Sequence, residues 1–206
     1  MRFVPKIFPA RDTIVTRPVA YDDVRDSIRC GDVALSRAAT IEGDAISLVT
    51  RSQYTHATML GWSGEEPFRT LMIGETRQRE NARSIDCRSE IQQWPGYYDV
   101  FRVRSPLYDG RQAWRFMCQA AGARYGWGHL VHIWGRRRIG RLWPAVANSD
   151  EPQSERFCSE LVHAAIRLGG GPQLRQYDCD VAPGDLSDPF LVDYLFTLFP
   201  TNARMR

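Results

Sequence analysis

Two apolar runs separated by a turn-forming pentapeptide set the centre of this chain: THATMLGW (55–62) and FRTLMIGE (68–75) flank SGEEP. Runs of eight residues bounded by Gly, Ser and Pro read as neighbouring antiparallel strands. A fold about the bond between Glu65 and Glu66 places His56 directly opposite Glu75, with Cβ atoms roughly 4.5–5.5 Å apart and both side chains on one face. A slip of one residue would send the two to opposite faces. Further strands are expected at Asp32–Ser36 (DVALS) and Tyr97–Arg104 (YYDVFRVR). Helices are expected at Tyr21–Arg29, Gly43–Val49, Asp109–Arg124 and Phe157–Leu168, the last stopped by three glycines at 169–171. The segment from Pro183 to Phe199 is apolar and aromatic and is expected to pack back on the body. These elements describe an α+β protein with a central antiparallel sheet packed against helices. With 206 residues the chain suits one sizeable core, hence a single domain over 1–206.

The helix FCSELVHAAIRL carries the chemistry. Phe157, Leu161, Ala165 and Leu168 form one apolar stripe, whereas Cys158 lies off its centre, in the first turn. Unpaired N–H groups and the positive end of the backbone dipole favour a thiolate there. A cysteine that only fills space is the competing account, and the stretch alone leaves both open. A base is available in His56, at the start of a strand after the polar TRSQY, and Glu75 is placed to hold its ring. Nucleophile, base and orienting carboxylate are the parts of a cysteine hydrolase.

Other chemistries lack their residues. His129 and His132 share a helix-compatible spacing, but no Cys or carboxylate stands beside them at a zinc-finger interval, so neither a metal nor another cofactor is expected. His163, five residues after Cys158 on the same helix, points away from it. Neither G-x-x-x-x-G-K-[ST] nor G-x-S-x-G occurs. The net charge of +3 does not call for nucleic acid, although Lys6 is the one lysine among 27 basic residues. The five cysteines include no C-x-x-C pair, Pro5, Lys6 and Pro9 interrupt the N-terminal apolar stretch, and no run of 18 apolar residues occurs. A cytoplasmic location with reduced thiols is the expectation.

CGDVALS, VTRSQYTHATMLGW, MIGET, YGW, RFCSELVHAAIR and VAPGDLSDP, in that order, resemble the circularly permuted papain-like proteins of the YiiX/YebB type, within the NlpC-type cysteine peptidase superfamily. The same permuted order occurs in the lecithin retinol acyltransferase relatives. The resemblance covers most of residues 30–190. It implies a permuted papain-like fold with Cys158 as nucleophile, His56 as general base and Glu75 as the third catalytic residue. It also implies Tyr125 and Tyr54 near the substrate.

The activity so implied is that of a cysteine-dependent amidase or peptidase working through a thioester, on peptidoglycan-type or isopeptide amide bonds. A lipid acyl hydrolase or acyltransferase is the alternative. It draws on the aromatic and basic segment Trp127–Trp143, whose Arg136, Arg137, Arg138 and Arg141 suit an anionic membrane surface. A non-catalytic binding module of the same fold is a third possibility. Beyond a peptide or acyl substrate, no obligate protein partner is expected.

Overall fold

The two apolar runs pair as antiparallel strands, β3 (His56–Ser63) and β4 (Thr70–Arg77), in a computed structural model that describes residues 18–37, 41–77, 80–93, 97–139 and 148–199. Their register runs from Met59 opposite Gly74 to Ser63 opposite Thr70. The connecting loop is therefore centred on the Glu66–Pro67 bond, one residue beyond the expected bond. This moves the register by two positions: continued, it sets Thr58 opposite Glu75 and His56 one diagonal step away. Direct opposition of His56 and Glu75 is thus corrected. Because the side-chain period of a strand is two, an even shift keeps both on the same face.

Around this hairpin, in chain order, lie β1 (Pro18–Val19), α1 (Tyr21–Val24), β2 (Val33–Arg37) and α2 (Ile41–Thr50). After β4 come β5 (Glu80–Asp86), α3 (Cys87–Gln93), β6 (Tyr97–Val103), α4 (Gly110–Gln119), α5 (Trp127–Ile139), α6 (Cys158–Leu168) and β7 (Val192–Leu198). The strands form one seven-stranded sheet in the order β1-β7-β6-β2-β3-β4-β5. All neighbours are antiparallel except β1 and β7, which are parallel, so the sheet is mixed rather than wholly antiparallel.

Alternation along the strands builds two core layers. Val33, Leu35, Ala57 and Met59 pack with Trp114 and Met117 of α4 and with Leu161 and Val162 of α6. The intervening Ala34, Leu60, Ile73 and Val100 face Tyr21, Ile28 and the α3 residues Cys87 and Ile91. Gly61 allows the first layer to close, since a Cβ there would fall 2.0 Å from the Trp114 ring.

Several boundaries differ from expectation for local reasons. The first helix breaks after Val24 into a 3-10 turn, Arg25–Ser27, and Gly31 then turns the chain at φ +86 into β2. Asp109 caps α4, its Oδ1 accepting the N–H groups of Arg111 and Gln112 at 2.9 and 3.1 Å. That helix ends at Gln119, well before Arg124, because the chain is drawn onto β5: Ala82 N donates to Ala123 O and Gly122 N to Ala82 O. The basic run continues a helix, α5, as far as Ile139. Arg141 and the side chains of Arg137 and His129 lie outside the described residues. Among the described residues, no helix is long and apolar enough to cross a membrane.

Candidate active site

α6 begins where the sheet presents His56. At its C-terminal end, Gly169 O accepts Asp109 N beside Gly110, which abuts Cys30 and Gly31 ahead of β2. At the opposite end of β2, Ser36 pairs with His56, the first residue of β3. The helix therefore runs back along the sheet and delivers its first residue, Cys158, to the ring of His56. Phe157 precedes it in extended conformation, with its N–H donated to Glu160 Oε2 at 3.2 Å. Leu161 N donates to Phe157 O at 3.0 Å and closes the first turn. The Cys158 N–H, in the first turn, has no acceptor within the helix.

The three predicted catalytic side chains meet. His56 Nε2 lies 3.0 Å from Glu75 Oε2. Cys158 is within hydrogen-bonding reach of the same imidazole and acts on it through charge as well. On the far side of Glu75, Oε1 accepts Arg83 Nε and Nη2 at 3.0 and 2.9 Å, and Arg77 Nε stands 3.0 Å away in an ion pair. Arg83 is the direct cross-strand partner of Glu75 on β5. Arg77 also bonds Glu90, which accepts the Tyr98 hydroxyl at 3.3 Å.

This arrangement fixes the charges. Burial works against an ionised Glu75, but the His56 hydrogen bond and charge, with Arg77 and Arg83, overcome it and lower the carboxyl to about 2. Burial likewise pulls His56 down; the charge and hydrogen bond of Cys158, followed by those of Glu75, raise it to about 9. An ionised carboxylate only accepts, so the proton between His56 and Glu75 resides on Nε2. Nδ1 is left to exchange a proton with sulfur. Serial contact of this kind moves a proton between sulfur and a leaving group.

The site is closed. Cys158 is 1% exposed and His56 7%. Cys158 lies in an apolar cluster with Ile46 of α2, Ile133 of α5, Tyr125, Phe157 and Ala182. Tyr125 is set edge-to-face on Phe157 at 5.6 Å, and bridges Arg156 as a parallel neighbour. Tyr54 is elsewhere in the core, edge-on to Phe101, with its hydroxyl donated to Asp99 Oδ2 at 2.8 Å. His163 is fully buried; its Nδ1 meets Asp178 Oδ1 at 2.8 Å and its Nε2 accepts Leu174 N at 3.1 Å. It is a fixed structural group, away from Cys158.

Sequence reasoning missed Arg77, Arg83 and the α2–α5 cover. Arg77 was within reach, because it shares the parity of Glu75 on the same strand. Arg83 was not, since ENARSID has no apolar alternation to mark it as a strand. Its charged residues suit the sheet edge where β5 lies.

No protein-family model and no curated protein matches the sequence. Among solved structures, the chain is similar to the metalloprotein YiiX of Escherichia coli O157:H7, with a TM-score of 0.51 over 71% of this chain and 68% of that one. The fold is YiiX-like. At 18% identity the likeness to YiiX concerns the backbone: helices packed on a mixed sheet.

Proposed function

We propose that the chain is a cysteine-dependent amidase or peptidase that cleaves amide or isopeptide bonds through a thioester. The observation that carries this reading is the serial contact of Cys158, His56 and Glu75. The Cys158 sulfur attacks the acyl carbon as a thiolate, its proton already carried by His56, and forms the S–C bond as the carbonyl opens to an oxyanion. His56 then protonates the leaving nitrogen as the C–N bond breaks. Water attacks the thioester next, giving one proton to the now neutral His56, and the C–S bond breaks to release the acid and return the Cys158 thiolate beside the reprotonated ring. Glu75 stays ionised throughout and keeps the ring oriented. The Cys158 backbone N–H is one donor for the oxyanion, a contribution of roughly 2.7–4 kcal/mol.

The closed resting state implies that substrate enters as α2 or α5 moves aside, in the manner of other lids. A metal does not fit at these three residues. YiiX is described as a metalloprotein, but here Glu75 lies beyond His56 and is already shared by two guanidinium groups. Among the described residues, the one group of three donors that converges lies elsewhere.

The alternative acyl substrate is a lipid, and one observation favours it. The cover is apolar on its outside as well as over the sulfur: Leu48 of α2 and Val131, Trp134 and Ile139 of α5 are roughly half exposed or more. Of the arginines on this segment, Arg138 is exposed, whereas Arg136 is engaged with Asp180.

The deciding experiment incubates the protein separately with muropeptides and with phospholipid vesicles, following released amine and fatty acid. Peptide cleavage that Cys158→Ala abolishes, with unchanged circular dichroism, supports the amidase. Fatty acid release alone transfers the site to lipids, and turnover surviving Cys158→Ala ends both readings.

A further inference from the structure

We propose that His132, Cys179 and Asp180 form a second site, which binds a divalent metal ion of the zinc class. Their ligand atoms all lie within 4.8 Å of one another, His132 and Cys179 being buried and Asp180 partly so. The residues come from two elements: His132 from the middle of α5, Cys179 and Asp180 from the 3-10 turn Asp178–Asp180. His132 Nε2 is 3.2 Å from Asp180 Oδ1. Two ligands held about 2.0–2.1 Å from one ion in a tetrahedron are separated by roughly 3.3 Å, so this edge is already the right length. The sulfur, within 4.8 Å of both, needs to close by at most a little more than about an ångström to complete the face.

The donor set selects the ion. One imidazole, one thiolate and one carboxylate are the mixture that borderline-soft divalent ions take, in preference to magnesium or calcium. Thiolate and carboxylate together balance the two positive charges, and three protein ligands leave the fourth position of a tetrahedron open to water.

Arg136, one helical turn after His132, contacts Asp180 Oδ1 through Nε at 3.1 Å and Oδ2 through Nη2 at 3.1 Å. With an ion on Oδ1, the Nη2 contact to Oδ2 persists as an outer-shell bond to a ligating carboxylate. Without one, imidazole and guanidinium share the carboxylate. The neighbouring Asp178 has a parallel arrangement on α6, where His163 and Arg167 are also four residues apart. Those two bond it at 2.8 and 2.9 Å. Asp178 is spent on its pair, and Leu174 N occupies Nε2 of His163. The combination of imidazole, carboxylate and thiol converges at Asp180.

The site has a structural consequence for the catalytic cluster. Ile133, next to His132, belongs to the cover over Cys158. An ion joining α5 to the 3-10 turn fastens that cover. Metal uptake itself depends on no feature of the hydrolase mechanism.

Cobalt tests the proposal in a Cys158→Ala background, so that the catalytic sulfur cannot contribute. One equivalent of Co2+ per chain is expected, with a thiolate-to-cobalt charge-transfer band in the near ultraviolet. Adding Cys179→Ser abolishes that band, and adding Asp180→Asn instead lowers affinity by more than about tenfold. Zinc raises the melting temperature of the Cys158→Ala protein and not that of the doubly substituted protein. The proposal is overturned by a band that persists with Cys179→Ser, or by the absence of uptake in the folded Cys158→Ala protein. A failure of the hydrolase reading shows instead in the turnover of the unsubstituted chain and leaves the cobalt spectrum untouched.

Discussion

His56 Nε2 holds one oxygen of Glu75 at 3.0 Å, while Arg83 holds the other through two nitrogens at 2.9 and 3.0 Å. The imidazole takes one carboxylate oxygen and the Arg77 and Arg83 guanidinium groups share the other, so the position of the imidazole depends on β5 as well as on the hairpin that carries His56 and Glu75. Glu75→Gln removes the charge and leaves Arg77 and Arg83 beside a neutral amide. Urea titration is expected to show a loss of about 3–5 kcal/mol, the usual cost of breaking a buried pair. Turnover falls by about 10^3–10^4-fold in the protein that remains folded. A variant with full turnover would remove Glu75 from the mechanism.

Stability depends on pH with opposite signs at the two ends. The folded His56 has its pKa raised from 6.5 to about 9, so its contribution is complete below 6.5 and disappears as pH rises through 9. Glu75 is lowered from 4.5 to about 2, so its contribution is complete above 4.5 and disappears as pH falls through 2. Denaturation midpoints are expected to form a plateau between pH 4.5 and 6.5 and to decline on both sides. His56→Phe flattens the alkaline decline. An unchanged alkaline slope in that variant would assign the effect to another group.

In the proposed hydrolase, leaving-group protonation needs the His56 proton, which is present at neutral pH and lost near pH 9. The rate of acylation is therefore expected to fall through that pH in single-turnover assays on an amide substrate. A profile that stays level well above pH 9 would assign proton donation to a different residue.

Ile133 helps to seal the sulfur, and its truncation opens a gap in the cover. Ile133→Ala is expected to speed labelling of Cys158 by a bulky alkylating reagent by at least about tenfold, at a cost of about 2–5 kcal/mol. Leu60→Ala, in the core layer on the other side of the sheet, serves as the control. It destabilises by a similar amount and leaves the labelling rate unchanged. Equal acceleration by both variants would mean that general loosening, rather than the cover, governs access.

Much of the convergence of Cys158, His56 and Glu75 is legible because its signals are local. The polar turn ahead of a strand marks His56, and the opening of an amphipathic helix marks Cys158. Parity alone was enough to bring Glu75 to the correct face, even though the loop moved the register by two positions. What escaped notice was carried by polar sequence or by distant pairing. β5 has no apolar alternation, the apolar and aromatic run of β7 suggests only a segment that packs back on the body, and the arginines of α5 mask its helix. Cys179 and Asp180 lie nearly fifty residues beyond His132, so no motif spacing joins them, and only the packing of α5 on the turn brings them together. Tyr54 shows the reverse: a motif position that, in the folded chain, anchors the core through Asp99.

The burial of Cys158 at 1% exposure also governs its exposure to oxidants. Peroxide converts a thiolate to sulfenic and then sulfinic acid only by reaching the sulfur. A thiol enclosed by Ile46, Ile133 and Tyr125 meets peroxide only while the enclosure is parted. In the proposed hydrolase, oxidative inactivation thereby becomes coupled to turnover: the idle molecule is shielded, and the working molecule bears the damage.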